Sequence, residues 1–241
     1  MNIWEYSLLF VSVFAGGLAA VSSPWNKRNW NAPLLSFSGS FLLGIAILHL
    51  FPAVFYGGNH IIGLWVLGGF MLQFFLEQLT SGIEHGHIHI HSSTHHLKAF
   101  PIMIGLSIHA FIEGLPLAHY HELNEHAAGT FNHLLFGIVL HKLPAAFALG
   151  TILSLAGIRK WPLLGYLFIF ASMSPIGARL SEYLKPEEFY VQIIMALVAG
   201  SFLHIATTIL FETDDTAHHT LSLKKLSLIL AGLFLAIITT L

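Results

Sequence analysis

The chain of 241 residues contains no cysteine. Disulfides, thiolate metal sites and cysteine nucleophiles are therefore excluded. Charge is nearly as scarce: 9% of the residues are Asp, Glu, Lys or Arg, where a soluble domain carries about 25%. The formal net charge of −2 offers no basic field for nucleic acid, and that class of partner is dropped. Also missing is a basic stretch ahead of the first apolar run, since MNIWEYS carries an acid and no cation. The run that follows is expected to be a membrane helix and not a cleaved leader. Hydrophobicity, in contrast, is abundant: 55% of residues are apolar and the mean hydropathy is +0.74. That exceeds what a soluble core can bury, so apolar side chains must face lipid as well as one another. Histidine is the second excess, with 17 residues against 10 Lys and Arg together.

Eight apolar segments can be read along the chain, at 6–22, 34–56, 60–80, 100–120, 131–157, 161–180, 189–211 and 222–241. Most approach the roughly 20 residues that cross a bilayer as a helix. Helices are expected because lipid-exposed backbone must satisfy its own hydrogen bonds, and the alternation of a membrane β-barrel is absent. Lys27, Arg28, Lys98, Arg159, Lys160, Lys224 and Lys225 fall on one side of an eight-helix arrangement; Lys185 and Arg179 fall on the other. The first side is expected to be cytoplasmic, with both termini outside. GSFLLGIAILHLFP at 39–52 is similar to GSFLHIATTILFE at 200–212. Segments two and seven then run in opposite directions, as in an inverted repeat.

Chemistry concentrates in segments four and five. GLSIHAFIEGLPLA, Gly105 to Ala118, places His109 and Glu113 one helical turn apart. A carboxylate in hydrocarbon costs several kcal/mol, so it faces the protein interior and has a partner. LLFGIVLHKLPAAFALG carries His141 and Lys142 near its middle, followed by Pro144. Antiparallel packing of these segments brings His109, Glu113 and His141 to similar depth. Two imidazoles and a carboxylate can surround one divalent cation; a His–Glu contact that only locks two helices is the plainer alternative. Lys142 is either a snorkelling surface residue or an ammonium where a second cation would otherwise sit.

HAFIEG at 109–114 and HKLPAAFALG at 141–150 resemble the paired helix motifs of the ZIP family of divalent-metal transporters. The resemblance extends over the whole chain and includes a His-rich loop after the third segment and SPIGA, read as a turn, at 174–178. It implies an all-α integral membrane fold of eight helices, with an inverted repeat of helices 1–3 and 6–8 around helices 4 and 5. One transporter domain covers 1–241, with the cytoplasmic loop 81–99 inside it. It also implies transport of divalent metal into the cytoplasm, with His109, Glu113 and His141 as primary ligands. The cargo would be Zn²⁺, or else Fe²⁺, Mn²⁺ or Cd²⁺, and no cofactor is expected. Two positions depart from many members: Ala145 stands where a second Glu is common, and Ala110 and Lys142 stand where Asn and Asp complete a two-metal centre. Lys142 resembles a subgroup with lysine there, which implies a single transported ion.

The remaining histidines fall in groups. EHGHIHIHSSTHH holds His85, His87, His89, His91, His95 and His96, a tract that binds metal by composition. His49, at the end of segment two, and His119, His121 and His133, with Glu122 and Glu125 nearby, are entrance candidates. Glu77, His204 and Glu212 are exit candidates, and His218 and His219 lie beside Asp214 and Asp215. Two further function classes stay open. A membrane zinc hydrolase would need a general base, yet no HExxH occurs and Lys142 is a poor base. A metal sensor without flux is the other. A transporter and not an enzyme is the expectation, in a plasma or inner membrane, with the bilayer and a divalent cation as partners. The oligomeric state is left open, a homodimer included.

Overall fold

The computed structural model describes residues 1–22, 31–56, 58, 60–80, 82, 95–120, 132–211 and 222–239. Every described element is helical. We number them α1 (Ile3–Ser22), α2 (Asn31–Ile45, continued by a π turn at Ala46–Leu50 and a last turn at Phe51–Phe55), α3 (Ile62–Thr80), α4 (His95–Gly114, continued by a 3-10 turn at Leu115–Ala118), α5 (His133–Leu155), α6 (Lys160–Leu184), α7 (Glu188–Phe211) and α8 (Leu223–Ile238). Seven are long and apolar enough to cross a membrane. The exception is α8, which has 16 residues and so reaches about 24 Å at 1.5 Å per residue.

Helix directions follow from which residues touch. Gly200 of α7 meets Val66 of α3, and Ser201 donates to Gln73, so these two helices run parallel. On the same grounds α2 runs parallel to α8 (Gly44 at Ala236, Gly232 at Ser40), α1 to α5 (Gly16 at Leu143, Gly17 at Gly150) and α4 to α6 (Ala110 at Ser174, His119 at Ser181). The Tyr6 hydroxyl donates to Glu182 while Gly17 faces Leu167, which makes α1 antiparallel to α6. Gln192 donates to the Val54 carbonyl while Gly39 faces Ile209, which makes α2 antiparallel to α7. A two-fold that inverts direction therefore exchanges α1·α5 with α6·α4, and α3·α7 with α8·α2. That is the packing expected of an inverted repeat of helices 1–3 and 6–8 around 4 and 5.

The helices sort into two groups of four. One holds α1, α4, α5 and α6 around an apolar core of their own, including Val13, Leu106, Leu149, Leu167 and Phe170. The other holds α2, α3, α7 and α8. A second core, including Leu42, Leu50, Leu135, Ile138 and Phe202, fills the seam between the groups. Close approach is made with small residues, because without a hydrophobic drive between helices in lipid, tight van der Waals contact must hold them.

Several readings need correction. Helix α2 does not end at His49 but continues to Phe55. SPIGA is not a turn: α6 passes straight through Pro175 from Lys160 to Leu184. Lys98 does not precede the fourth helix but lies within its opening turns.

Candidate functional site

Helices α4 and α5 are antiparallel, and each contributes half of one polar cluster. His109 Nε2 of α4 lies 2.8 Å from Glu113 Oε1 on the same helix. The second carboxylate oxygen lies 2.9 Å from Lys142 Nζ of α5. The His109 and His141 rings meet edge to face, with centroids 6.0 Å apart at 88°. One ligand atom from each of His109, Glu113 and His141 lies within 4.8 Å of the others. Among the described residues this is the only grouping of three or more His, Asp or Glu that could hold a cation. All four side chains are buried, Glu113 and Lys142 to 0% and 2% exposure. Lys142 is thus not a snorkelling surface residue. Its long stem carries the ammonium back to Glu113 and places it 5.6 Å from the centroid of the Phe170 ring, whose face favours a cation.

The backbone that carries Glu113 is pressed against α6. A Cβ on Gly114 would overlap the Ser174 carbonyl, and one on Gly177 would overlap that of Phe111. The Ser174 hydroxyl completes the junction by donating to the Ala110 carbonyl at 2.7 Å. The glycine after Glu113 and the small residues of SPIGA thus serve one purpose, which is to seat the site-bearing turn of α4 on a rigid neighbour. Ser174, Gly177 and Phe170 were not singled out from sequence. The signal was present in the Glu-Gly pair and SPIGA, but nothing in one dimension says that they touch.

The arrangement has a definite electrostatic content. Glu113 and Lys142 cancel formally, so with neutral imidazoles the cluster carries no net charge. Zinc bound tetrahedrally with bonds of about 2.0–2.1 Å would draw its ligand atoms to about 3.3 Å from one another. The present ligand atoms, within 4.8 Å of one another, are already gathered close to that spacing.

The other candidates divide between the two ends of the bundle. At the end where α2 finishes and α5 begins, the His49 and His133 rings stack with centroids 4.3 Å apart and planes 16° from parallel. His119 is buried apart from them; its Nε2–H donates to the Ser181 carbonyl of α6 at 3.2 Å. Toward the opposite end, His204 of α7 and Glu77 of α3 share a hydrogen bond of 2.6 Å, and the Phe70 and Phe74 rings stand nearly perpendicular to the imidazole. His85, His87, His89, His91, His121, Glu122, Glu125, Glu212, Asp214, Asp215, His218 and His219 lie outside the described residues, and His95 and His96 begin α4.

Residues 84–240, well over half of the chain, match the ZIP zinc transporter family. The chain belongs to that family. Two relatives named Zinc transporter ZIP9 are 25% identical in Xenopus tropicalis and 26% identical in Micropogonias undulatus, each over 65% of this chain. Protein zntD of Dictyostelium discoideum is 29% identical over 52% of this chain. The chain spans about half the length of the ZIP9 relatives, 54% and 53%, and 20% of zntD. The ZIP match takes in α4 and α5 whole, and with them all four residues of the buried cluster.

Proposed function

We propose that this ZIP family protein moves divalent metal cations, Zn²⁺ foremost, across a membrane into the cytoplasm. His109, Glu113 and His141 are the ligands in this reading. The observation that carries it is the convergence of these three buried ligand atoms, within 4.8 Å, from two antiparallel membrane helices. The cation sheds water as it enters, and imidazole nitrogens and a carboxylate oxygen replace that water. Alternating access then opens the site to one side and the other.

Lys142 gives the site its character as a transport site. A divalent ion arriving at a cluster of zero net charge leaves an excess of +2 that nothing in the cluster balances. Such a site holds its ion loosely, and conduction needs departure as much as arrival. Lys142 also occupies the second oxygen of Glu113, so one ion and not a bridged pair is carried. The protein is not an enzyme in this reading, because the one basic side chain beside the ligands is already committed to Glu113.

Lys160, Lys224 and Lys225, with the start of α4, share the end of the bundle opposite Lys185, which supports a cytoplasmic assignment of that end and an outer position for Met1. The Glu77–His204 pair lies toward that inner end and suits an exit relay. The His-rich tract within 81–99 collects or senses arriving metal. The test is uptake of radioactive zinc into proteoliposomes. Saturable uptake is expected for the native protein, with complete loss in His109→Ala, Glu113→Ala and His141→Ala at unchanged expression. Competition by Fe²⁺, Mn²⁺ and Cd²⁺ ranks the cargo. Normal uptake in any of the three variants would remove the mechanism.

A further inference from the structure

His49 and His133 are both buried, at 6% exposure each, and they face each other across the seam between the two helix groups. His49 belongs to α2, which packs most on α8 and, about equally, on α7 and across the seam on α5. His133 opens α5, which packs along α1. The pair is therefore one of the places where a movement of one group against the other must separate side chains that now touch.

Its position relative to the site can be read along α5. His133, Gly137 and His141 recur every four residues, so they lie close to one helix face. From His133 to His141 the rise is about 12 Å at 1.5 Å per residue. Gly137 lies between them and faces Leu42 and Ile45 of α2, and Ile45 is one turn before His49. The order along the seam is thus the His49–His133 stack, then Gly137 against Leu42 and Ile45, then His141. Leu42 and Ile45 are fully buried at 0% exposure.

The backbone around His49 is also unusual. His49 lies in the π turn Ala46–Leu50, where the Phe51 N–H bonds to the Ala46 carbonyl. Pro52 follows, and it has no N–H to continue the α pattern to Leu48. Single π turns inside α-helices are frequent at functional sites, and this one carries the side chain that stacks on His133 of α5.

We propose that the stacked His49–His133 pair is the outer gate of the cation path. Closed, the two neutral imidazoles pack like an aromatic pair and, with Leu42 and Ile45, seal the seam above His141. Opened, each ring offers a nitrogen lone pair to a cation that has begun to lose water, which two leucines could not do. This rests on the transport reading above and deepens it, since it names the element that admits the divalent cation.

The absence of native cysteine makes the test clean. A Gly137→Cys variant carries the only thiol, at a position where a Cβ meets nothing closer than 3.6 Å. Intact cells are treated with a membrane-impermeant thiol reagent in three backgrounds: His49 and His133 native, both changed to Ala, and both changed to Phe. Labelling should rise about tenfold in the Ala pair, because it tracks the open population. It should stay slow in the Phe pair, which keeps the stack, while zinc uptake by the Phe pair falls because the nitrogens are gone. Equal labelling in all three backgrounds overturns the gate, as does full uptake by the Phe pair. Gated labelling without any zinc uptake by the native protein would remove the transport reading and leave the closure itself demonstrated.

Discussion

Lys142→Met is the sharpest test of how the cluster is balanced. In the native protein the Lys142 ammonium lies 2.9 Å from Glu113 Oε2, with both side chains at 2% exposure or less. At that distance the attraction is about 6 kcal/mol for an effective dielectric constant of about 20. Desolvation offsets some of it, and removing one partner of a buried pair costs about 3–5 kcal/mol, because the other charge is stranded. Methionine keeps the stem volume and the contact with Phe170 but leaves Glu113 without its cation. Lys142→Met should therefore unfold at a markedly lower temperature than the native protein when no metal is added. Zinc should then restore what lysine supplied. If the whole of that roughly 3–5 kcal/mol reached the metal, affinity would rise by about 100- to 4,000-fold, at 1.4 kcal/mol per factor of ten. Relaxation makes that an upper bound. Thermal unfolding in detergent against a zinc titration measures both effects, and proteoliposome uptake should show lower KM together with lower maximal rate, since release is slowed. Glu113→Gln combined with Lys142→Met should recover much of the lost stability. A Lys142→Met protein with native unfolding temperature and unchanged zinc affinity would refute the ion pair and, with it, the argument for weak holding.

Other perturbations reach different regions of the structure. Gly114→Leu drives a side chain into the Ser174 backbone; overpacking of this kind costs about 1–3 kcal/mol and should reduce uptake by displacing Glu113, whereas Gly68→Leu, a position with more room against Leu197, should be tolerated. His204→Ala removes one half of a 2.6 Å hydrogen bond and should destabilise the protein by about 1–3 kcal/mol in thermal unfolding; if the exit reading is correct, zinc affinity at the central site stays native while the maximal uptake rate falls. Deleting residues 85–94 removes four of the loop histidines and should leave saturable uptake in place, changing only its response to low zinc.

Some of this was open to sequence reading. Burying His109 and Glu113 in an apolar run is expensive enough that the two had to face inward and meet a partner, and their spacing of four put them on one helix face. His141 was placed at their depth by antiparallel packing of two adjacent segments. The paired motifs carried the family resemblance, and the match over residues 84–240 bears it out. Even the inverted repeat left a trace in GSFL at 39–42 and 200–203, since tight packing asks for the same small residues wherever it recurs.

Other features belong to three dimensions alone. That Lys142 turns to Glu113 and not to the membrane surface shows only once α4 and α5 are packed together, with Phe170 of α6 beside the ammonium. That the His119 ring donates a hydrogen bond to the Ser181 carbonyl depends on the α4–α6 junction. His49 and His133 are 84 positions apart in the chain, and only the seam between two helix groups makes them neighbours. The reason is general to a membrane chain: solvation cost is a property of each residue and its own helix, so hydropathy and spacing declare which side chains must be hidden. Partner choice is a property of contacts between helices, and those are decided by packing that no single segment contains.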